Sequence, residues 1–200
     1  MSNSSVLSNY TELLTDLSIL NKETEQKVIA ENPDEFVTRN INFFTKSFTI
    51  IICAYLESFL KDVSMTIIDD TNKKLSEIKI AHNLVKWSVS KKKKYLKDLN
   101  DNELLFEDLT IKITKKELDN FISGSPHKTE KLFEKIGIKL IENDKYQENK
   151  DKTIVNKSNK IVHHNDNASD ISFNDIDFNI KIILEYMENI NSIIQVELNK

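Results

Sequence analysis

Apolar residues recur at helical spacing in several long stretches of the chain. The first such set lies near the N-terminus and shares one helical face: Tyr10, Leu13, Leu14, Leu17 and Leu20. The most regular set lies at the C-terminal end: Phe173, Ile176, Ile180, Ile183, Met187, Ile190 and Ile194. Steps of three and four residues place these side chains on one face of an α-helix. Ser172-Phe-Asn-Asp175 predicts a capping-box variant at the start of the last helix.

The most apolar stretch predicts a second long helix from about Glu35 to Ile68, after a break at Asn32-Pro33-Asp34. Its main stripe is Ile41, Phe44, Phe48, Ile51, Tyr55, Phe59 and Val63, widened by Phe43, Ile52, Leu56 and Leu60. A helix that is apolar nearly all round is expected to be central and buried. Glu57 interrupts this surface. Its carboxylate either pairs with Lys61 on the surface, one turn further on, or lies as a polar group inside a cleft.

A shorter helix is predicted after the break at Ser123-Gly124-Ser125-Pro126. Pro126 suits the first helical turn, with Ser125 as its cap. Gly137 predicts the end of that helix in a left-handed conformation. The very polar stretch Asn143–Lys152 is expected to be a loop or an exposed helix start.

Composition argues against an all-β fold. Gly and Pro occur only twice each among 200 residues, whereas hairpins and sandwich corners need them. Leu75, Ile78, Leu84, Val85 and Trp87 fit a helix, although Leu84–Ser90 also alternates like a strand. Leu109, Ile111 and Ile113 alternate over a short span. The prediction is therefore an all-α, single-domain helical bundle over residues 1–200. It has about five to seven helices and room for one short extended pair within residues 84–114.

Charge and cysteine content indicate a cytoplasmic protein whose contacts with nucleic acid would be local. The net charge is −4, so the field of the whole protein does not attract RNA. Cys53 is the only cysteine, which is typical of a reducing compartment. The N-terminus lacks the pattern of a signal peptide. Phe48–Leu60 is expected to be too short and too polar to span a membrane.

The candidate chemistry lies in the segment Lys157–Asp166, K-S-N-K-I-V-H-H-N-D, called here the motif segment. Asn159 and His163 are four residues apart, so both can face one cleft. An imidazole titrates near neutrality and can act as base or acid. His163, His164, Asn165 and Asp166 could also ligate a metal, but adjacent residues rarely converge on one ion and no metal-ligand spacing is present. We therefore expect no metal and no cofactor.

The motif segment resembles the HEPN family, small all-helical proteins that are often metal-independent RNases. The family pattern is arginine, asparagine, three residues, then histidine; here Ser158 stands at the arginine position, while Asn159 and His163 match. The apolar run C-A-Y-L-E-S-F-L-K at Cys53–Lys61 and the sequence A-S-D-I-S-F-N-D-I before the last helix also fit the family order. The resemblance implies a homodimer with one RNA cleft built from both motif segments.

Ser158 leaves two function classes open. In the first, the chain is an endoribonuclease of a toxin or phage-defence system, with His163 as acid or base and Asn159 as the orienting group. Lys157, Lys160 or His164 would then contact the phosphate, because Ser158 has neither the length nor the charge of arginine. In the second, the chain is a HEPN-like binding or scaffold module, or a partner subunit, that has lost catalysis with the arginine. RNA, such as tRNA, and a neutralising protein are the expected partners, and no membrane.

Overall fold

Three long helices pack against one another at the centre of the molecule: α1 (Asn3–Ile29), α3 (Ile41–Ile78) and α6 (Phe173–Leu198). Shorter helices accompany them, among them α2 (Glu35–Arg39), α4 (Lys115–Leu118) and α5 (Pro126–Lys135). The computed structural model describes residues 3–78, 80–81, 84–85, 87–88, 109–140, 144, 146 and 171–199. Over these residues the prediction of an all-α, single-domain bundle is confirmed.

The main core lies between α1, α3 and α6, and polar side chains fix how they align. Tyr10 of α1 packs edge-on against Phe59 of α3, with ring centroids 5.8 Å apart. The buried Asn21 amide donates to the Phe173 carbonyl at 2.9 Å, at the start of α6. Ser18 donates to Asp177 at 2.9 Å. The start of α6 is therefore attached to the middle of α1.

The predicted helix from Glu35 to Ile68 is two helices. Asp34 caps α2 and accepts hydrogen bonds from the backbone nitrogens of Phe36 and Val37. Asn40 ends α2 with φ −112° and ψ 20°, and its side chain donates to the Phe36 carbonyl at 2.7 Å. Asparagine competes for backbone groups in this way at turns and helix ends. The second of the two helices, α3, continues ten residues beyond the predicted end, to Ile78.

The buried face of α3 is centred on the set predicted only to widen the stripe. Ile52, Leu56 and Leu60 are fully buried, whereas Ile51 and Tyr55 are partly exposed. Both α1 and α6 cover α3, so its contact face is wider than one stripe. Burial is incomplete at the beginning of the helix, where Phe43 is 66% exposed. The expectation of a central helix is confirmed, but the buried face is rotated about the helix axis from the predicted main stripe by the angle of about one residue.

Length and composition alone would allow α3 to cross a membrane, contrary to the expectation for Phe48–Leu60. An 18-residue window within Ile41–Ile78 has a mean hydropathy of 1.4, and 44% of that window is buried inside the bundle. The core helix of a water-soluble bundle has the same composition. Its buried hydroxyls are satisfied within the helix, since Thr49 donates to the Thr45 carbonyl at 2.8 Å and Ser64 to the Leu60 carbonyl at 2.7 Å.

A second, smaller core joins α3 to α4 and α5 through Ile68, Leu118 and Leu132. The segment before α4 is held by Asn72 of α3. The Asn72 side chain accepts from the Ile111 nitrogen at 2.7 Å and donates to the Ile111 carbonyl at 3.0 Å. This amide pairs with the backbone as a neighbouring strand would. Ile111 and Ile113 pack against the second core while Lys112 between them is exposed, which explains their alternation.

The predicted strand alternatives are not formed in the part of the chain that the structure describes. Residues 84–85 and 87–88 are helical, and residues 109–113 belong to no strand. Among the described residues, a backbone hydrogen bond from the Leu109 nitrogen to the Ile80 carbonyl, 2.7 Å long, and an isolated bridge at Ala81 lie just before the first of these regions.

The ends of α5 and α6 follow the predicted local chemistry. Gly137 has φ 89°; its nitrogen donates to the Glu134 carbonyl at 3.1 Å, and the Ile138 nitrogen donates to the Phe133 carbonyl at 2.8 Å. This is a Schellman ending. Ser172 and Asp175 form the predicted capping box of α6. Ser125 is the N-cap residue of α5 as predicted, but its side chain makes no capping hydrogen bond.

Candidate functional site

The motif segment lies outside the described residues, so the structure places none of Lys157, Ser158, Asn159, Lys160, His163 and His164. The described residues on either side of it are Tyr146 and Ile171. Both belong to the main core, where Tyr146 is 0% exposed and Ile171 is 8% exposed. The stretch 147–170, which contains the motif segment, therefore lies in the sequence between two residues anchored in the core.

The first anchor is a buried pair of tyrosines. Tyr146 and Tyr186 of α6 have ring centroids 5.4 Å apart, and their hydroxyl oxygens are 3.1 Å from each other. Tyr146 also donates to the carbonyl of Pro126, the first residue of α5, at 3.5 Å. Of the two predictions for Asn143–Lys152, a loop or an exposed helix start, the second agrees with helical positions 144 and 146 and the exposed Asp144, but Tyr146 is fully buried. The prediction relied on the average polarity of the stretch and therefore missed that Tyr146 belongs to the core.

The tyrosine pair remains protonated at neutral pH. Burial raises the pKa of Tyr186 to about 12, and burial together with the neighbouring Tyr186 raises the pKa of Tyr146 as well. Removing a proton would place a negative charge in the buried core, which is unfavourable. The two hydroxyls therefore serve as hydrogen-bonding groups that hold position, and neither is suited to act as a general base.

Glu57 lies at the joint between α3 and the loop that precedes α5. It is half-buried, and its Oε1 atom accepts a hydrogen bond from the Gly124 nitrogen at 3.2 Å. Lys61, the predicted surface partner of Glu57, instead forms a salt bridge with Asp119. The structure thus gives Glu57 a contact that neither sequence interpretation included, and its role in a cleft stays a prediction.

A second polar group, Asp62, connects three helices and was missed by the sequence patterns. Its Oδ2 accepts from the Tyr10 hydroxyl of α1 at 2.8 Å, and its Oδ1 pairs with Lys115 of α4 at 2.5 Å. Burial and the Asp62 contact raise the pKa of Tyr10. Among the described residues, no group of three or more His, Cys, Asp or Glu side chains could hold a metal ion.

The described geometry defines an all-α bundle whose core holds both ends of one long stretch that carries the histidine motif. A family model described as RiboL-PSP-HEPN matches residues 7–196. The protein therefore belongs to the RiboL-PSP-HEPN family, and the resemblance to HEPN proteins is confirmed. No curated protein and no solved structure matches the chain.

Proposed function

We propose that the protein is a metal-independent endoribonuclease of the HEPN type, acting in the cytoplasm as a toxin or phage-defence effector. The observation that carries the proposal is the family match over residues 7–196, within which Asn159 and His163 keep the spacing of the family motif. The anchored ends of the 147–170 stretch support it, because a reactive segment must be held in position to be effective.

The proposed reaction is attack of the RNA 2′-hydroxyl oxygen on the adjacent phosphorus. A base takes the hydroxyl proton, the new O–P bond closes a 2′,3′-cyclic phosphate, and the bond from phosphorus to the 5′ oxygen breaks. An acid gives a proton to that leaving oxygen. His163 fills one of these two roles, since an imidazole works as base or acid near neutral pH. Asn159, one turn before it, orients the phosphate or the imidazole.

Charge on the phosphate must come from groups other than Ser158. The arginine of the family pattern offers a planar fork to two phosphate oxygens, and losing such a group costs several kcal/mol of transition-state stabilisation. Lys157 and Lys160 flank the position and supply point charges, and His164 adds a second imidazole. A point charge orients the phosphate less well than a fork, so we expect slow turnover.

The proposed assembly is a homodimer in which the two His163 side chains approach one RNA cleft. Substrate RNA, with tRNA as the first candidate, and a neutralising protein are the proposed partners. The nuclease proposal is tested by incubating the purified protein with tRNA in EDTA. We expect cleavage products with 2′,3′-cyclic ends from the wild type and none from His163→Ala. Lys157→Ala and Lys160→Ala are expected to slow the reaction.

A second function, that of a HEPN-like binding or scaffold module, is favoured by Ser158 and the net charge of −4. The variant Ser158→Arg separates the two functions. If catalysis was lost with the arginine, the wild type is silent and Ser158→Arg restores cleavage, because Asn159 and His163 are still present. Silence of both proteins with several RNAs at high enzyme concentration would exclude the nuclease and leave the binding module.

A further inference from the structure

A small pocket lies between the exposed side of α5 and the turn that follows α4. Its volume is about 180 Å³, and it is lined by Asn120, Phe121, Lys128, Lys131, Leu132 and Lys135. Sites for whole small molecules usually measure about 300–1,000 Å³. This pocket is too small for a complete cofactor and suits one flat ring with charged groups at its edge.

The three lysines share one face because of their spacing along α5. Lys128, Lys131 and Lys135 are separated by three and four residues, so their side chains lie within about 60° of one another around the helix. They extend over about 10 Å of the helix axis at 1.5 Å per residue. In the described part of the chain, the salt bridges fall on other lysines: Lys61, Lys74 and Lys115.

The pocket has a firm apolar wall and an aromatic ring at its rim. Leu132 is 2% exposed and packs with Ile68 and Leu118 in the second core. Phe121 is 43% exposed, and the backbone hydrogen bond from its nitrogen to the Leu118 carbonyl, 2.8 Å long, holds the turn that carries it. The Phe121 ring at the rim is exposed to solvent and offers a surface for stacking.

The ring of Phe121 already attracts a cation. The Nζ atom of Lys135 lies 3.7 Å from the centre of the ring. Such a contact at an exposed site stabilises by only about 0.5–1 kcal/mol. A ligand that offers a flat ring to Phe121 and a phosphate to Lys135 replaces this contact with two stronger ones.

We propose that this pocket binds one nucleotide of single-stranded RNA, with the base on Phe121 and the neighbouring phosphates on Lys128, Lys131 and Lys135. Stacking on an aromatic ring beside a positive groove is the usual way in which proteins hold single strands. The side-chain amide of Asn120 is placed to hydrogen-bond a base edge. The proposal rests on the proposed action on RNA, but the pocket is formed by α5 and the turn after α4, outside the motif segment.

The simpler explanation of the three lysines is that they only contact solvent. The acidic residues of α5 help to distinguish this explanation from RNA binding. Glu130 is on the opposite side of the helix and contributes to the surroundings of Tyr186. Glu134 is exposed and three residues from Lys131, so its negative charge opposes phosphate binding at one edge of the pocket. Under the proposal, Glu134→Gln increases RNA affinity. A face that only contacts solvent gives no such change.

The test measures binding of a fluorescent single-stranded RNA of about 12 nucleotides, within the usual site size of such proteins. The protein is full-length His163→Ala, so that the RNA stays intact. The lysine variant replaces Lys128, Lys131 and Lys135 by glutamine. Its matched control replaces three exposed lysines that do not line the pocket, Lys22, Lys27 and Lys181, and makes the same change in net charge.

We expect the lysine variant to bind at least about tenfold more weakly at 50 mM salt and to reduce the slope of log affinity against log salt by about 2. Phe121→Ala should weaken binding by about 5-fold to 100-fold, while Phe121→Tyr keeps the stacking surface and binds normally. The control variant should stay close to the parent. Melting temperatures are measured for each protein, and Phe121 lies outside both core clusters, so the fold is expected to persist.

Three outcomes would contradict the proposal that this pocket binds RNA. They are no RNA binding by the parent protein, equally weakened binding in the control lysine variant, or normal binding by Phe121→Ala. Normal binding by Phe121→Ala would mean that the lysines attract any polyanion and that no base stacks on Phe121. Cleavage by the protein with His163 intact is scored separately. If RNA binding depends on the pocket but the protein does not cleave RNA, only the nuclease proposal is contradicted. If the protein cleaves RNA but binding does not depend on the pocket, only the present inference is contradicted.

Discussion

The hydroxyl groups of Tyr146 and Tyr186 are buried and bonded to each other, so each depends on the other. We expect Tyr186→Phe to lower the free energy of unfolding by about 0.5–1.5 kcal/mol, because the buried Tyr146 hydroxyl loses its partner at 3.1 Å but keeps the Pro126 carbonyl. The ring volume and stacking are unchanged. Urea unfolding followed by circular dichroism measures the difference.

Tyr55→Phe is the matched control, since Tyr55 is only partly buried in α3. It should change stability by less than about 0.5 kcal/mol. A Tyr186→Phe protein as stable as this control would show that the pair does not anchor the chain before the motif segment.

Alkaline pH should weaken the fold through the same pair. The pKa of the Tyr186 phenol is near 10.0 in the unfolded chain and is raised to about 12 by burial in the folded one. The unfolded state therefore loses its proton first, and the contribution to stability, complete below pH 10, is lost between about pH 10 and 12. Urea midpoints at about pH 8, 10 and 11 should fall more steeply for the wild type than for Tyr186→Phe. Parallel curves would contradict this.

Single residues were predictable from sequence where their partners are close along the chain. Pro126, Gly137 and the pair Ser172 and Asp175 act within one helical turn, so their roles follow from spacing alone. Tyr146 could not be assigned in this way, because its partner Tyr186 is forty residues away. Such contacts depend on how the helices meet, which no local pattern contains.

The Schellman ending of α5 depends on backbone conformation at Gly137. We expect Gly137→Ala to destabilise the protein by about 1 kcal/mol, because φ 89° is unfavourable for a residue with a Cβ atom. Crowding is not the reason, since no heavy atom lies within 4 Å of the position that a Cβ would occupy. Gly137→Asn should be milder, as asparagine tolerates this conformation. Equal stability of the wild type and the alanine variant in urea would refute the assignment.

The joint between α3 and the loop before α5 depends on Glu57. Glu57→Gln keeps an oxygen for the Gly124 nitrogen and should leave the melting temperature nearly unchanged. Glu57→Ala removes it and should lower the free energy of unfolding by about 1–3 kcal/mol, because Gly124 is buried. If Glu57 also lies in a cleft, the glutamine variant loses activity or RNA affinity at unchanged stability. A stable alanine variant would show that the hydrogen bond is unimportant.

The positions of the main helices followed from periodicity, but the break and the buried face of α3 did not. Asn40 interrupts a continuous apolar pattern through its own side-chain hydrogen bond to Phe36, which a hydrophobic pattern does not register. Ile52, Leu56 and Leu60 form the deepest face because α1 and α6 both cover it. A helix apolar on most sides leaves this choice to its neighbours.

The whole molecule is expected to be a homodimer. The two motif segments would meet at a two-fold axis, as the HEPN resemblance implies, so that one cleft contains both His163 side chains. Analytical ultracentrifugation at tens of micromolar should give twice the 23.2 kDa of one chain. A monomer at that concentration, or a dimer with the two motif segments on outer faces, would reject this assembly.

We expect the chain up to Tyr146 and the chain from Ile171 onward to stay associated even when the peptide chain between them is cut. A protease cut between them would leave α6 held to α1 and α3 by a full apolar face that includes Ile176, Ile183 and Ile190. The nicked protein should elute as one species in gel filtration and separate only in denaturant. Two separately produced fragments, one ending after Tyr146 and one beginning before Ile171, should then reassemble. The bundle is therefore suited to fragment complementation. Activity of the reassembled protein would show whether the stretch between Tyr146 and Ile171 is present.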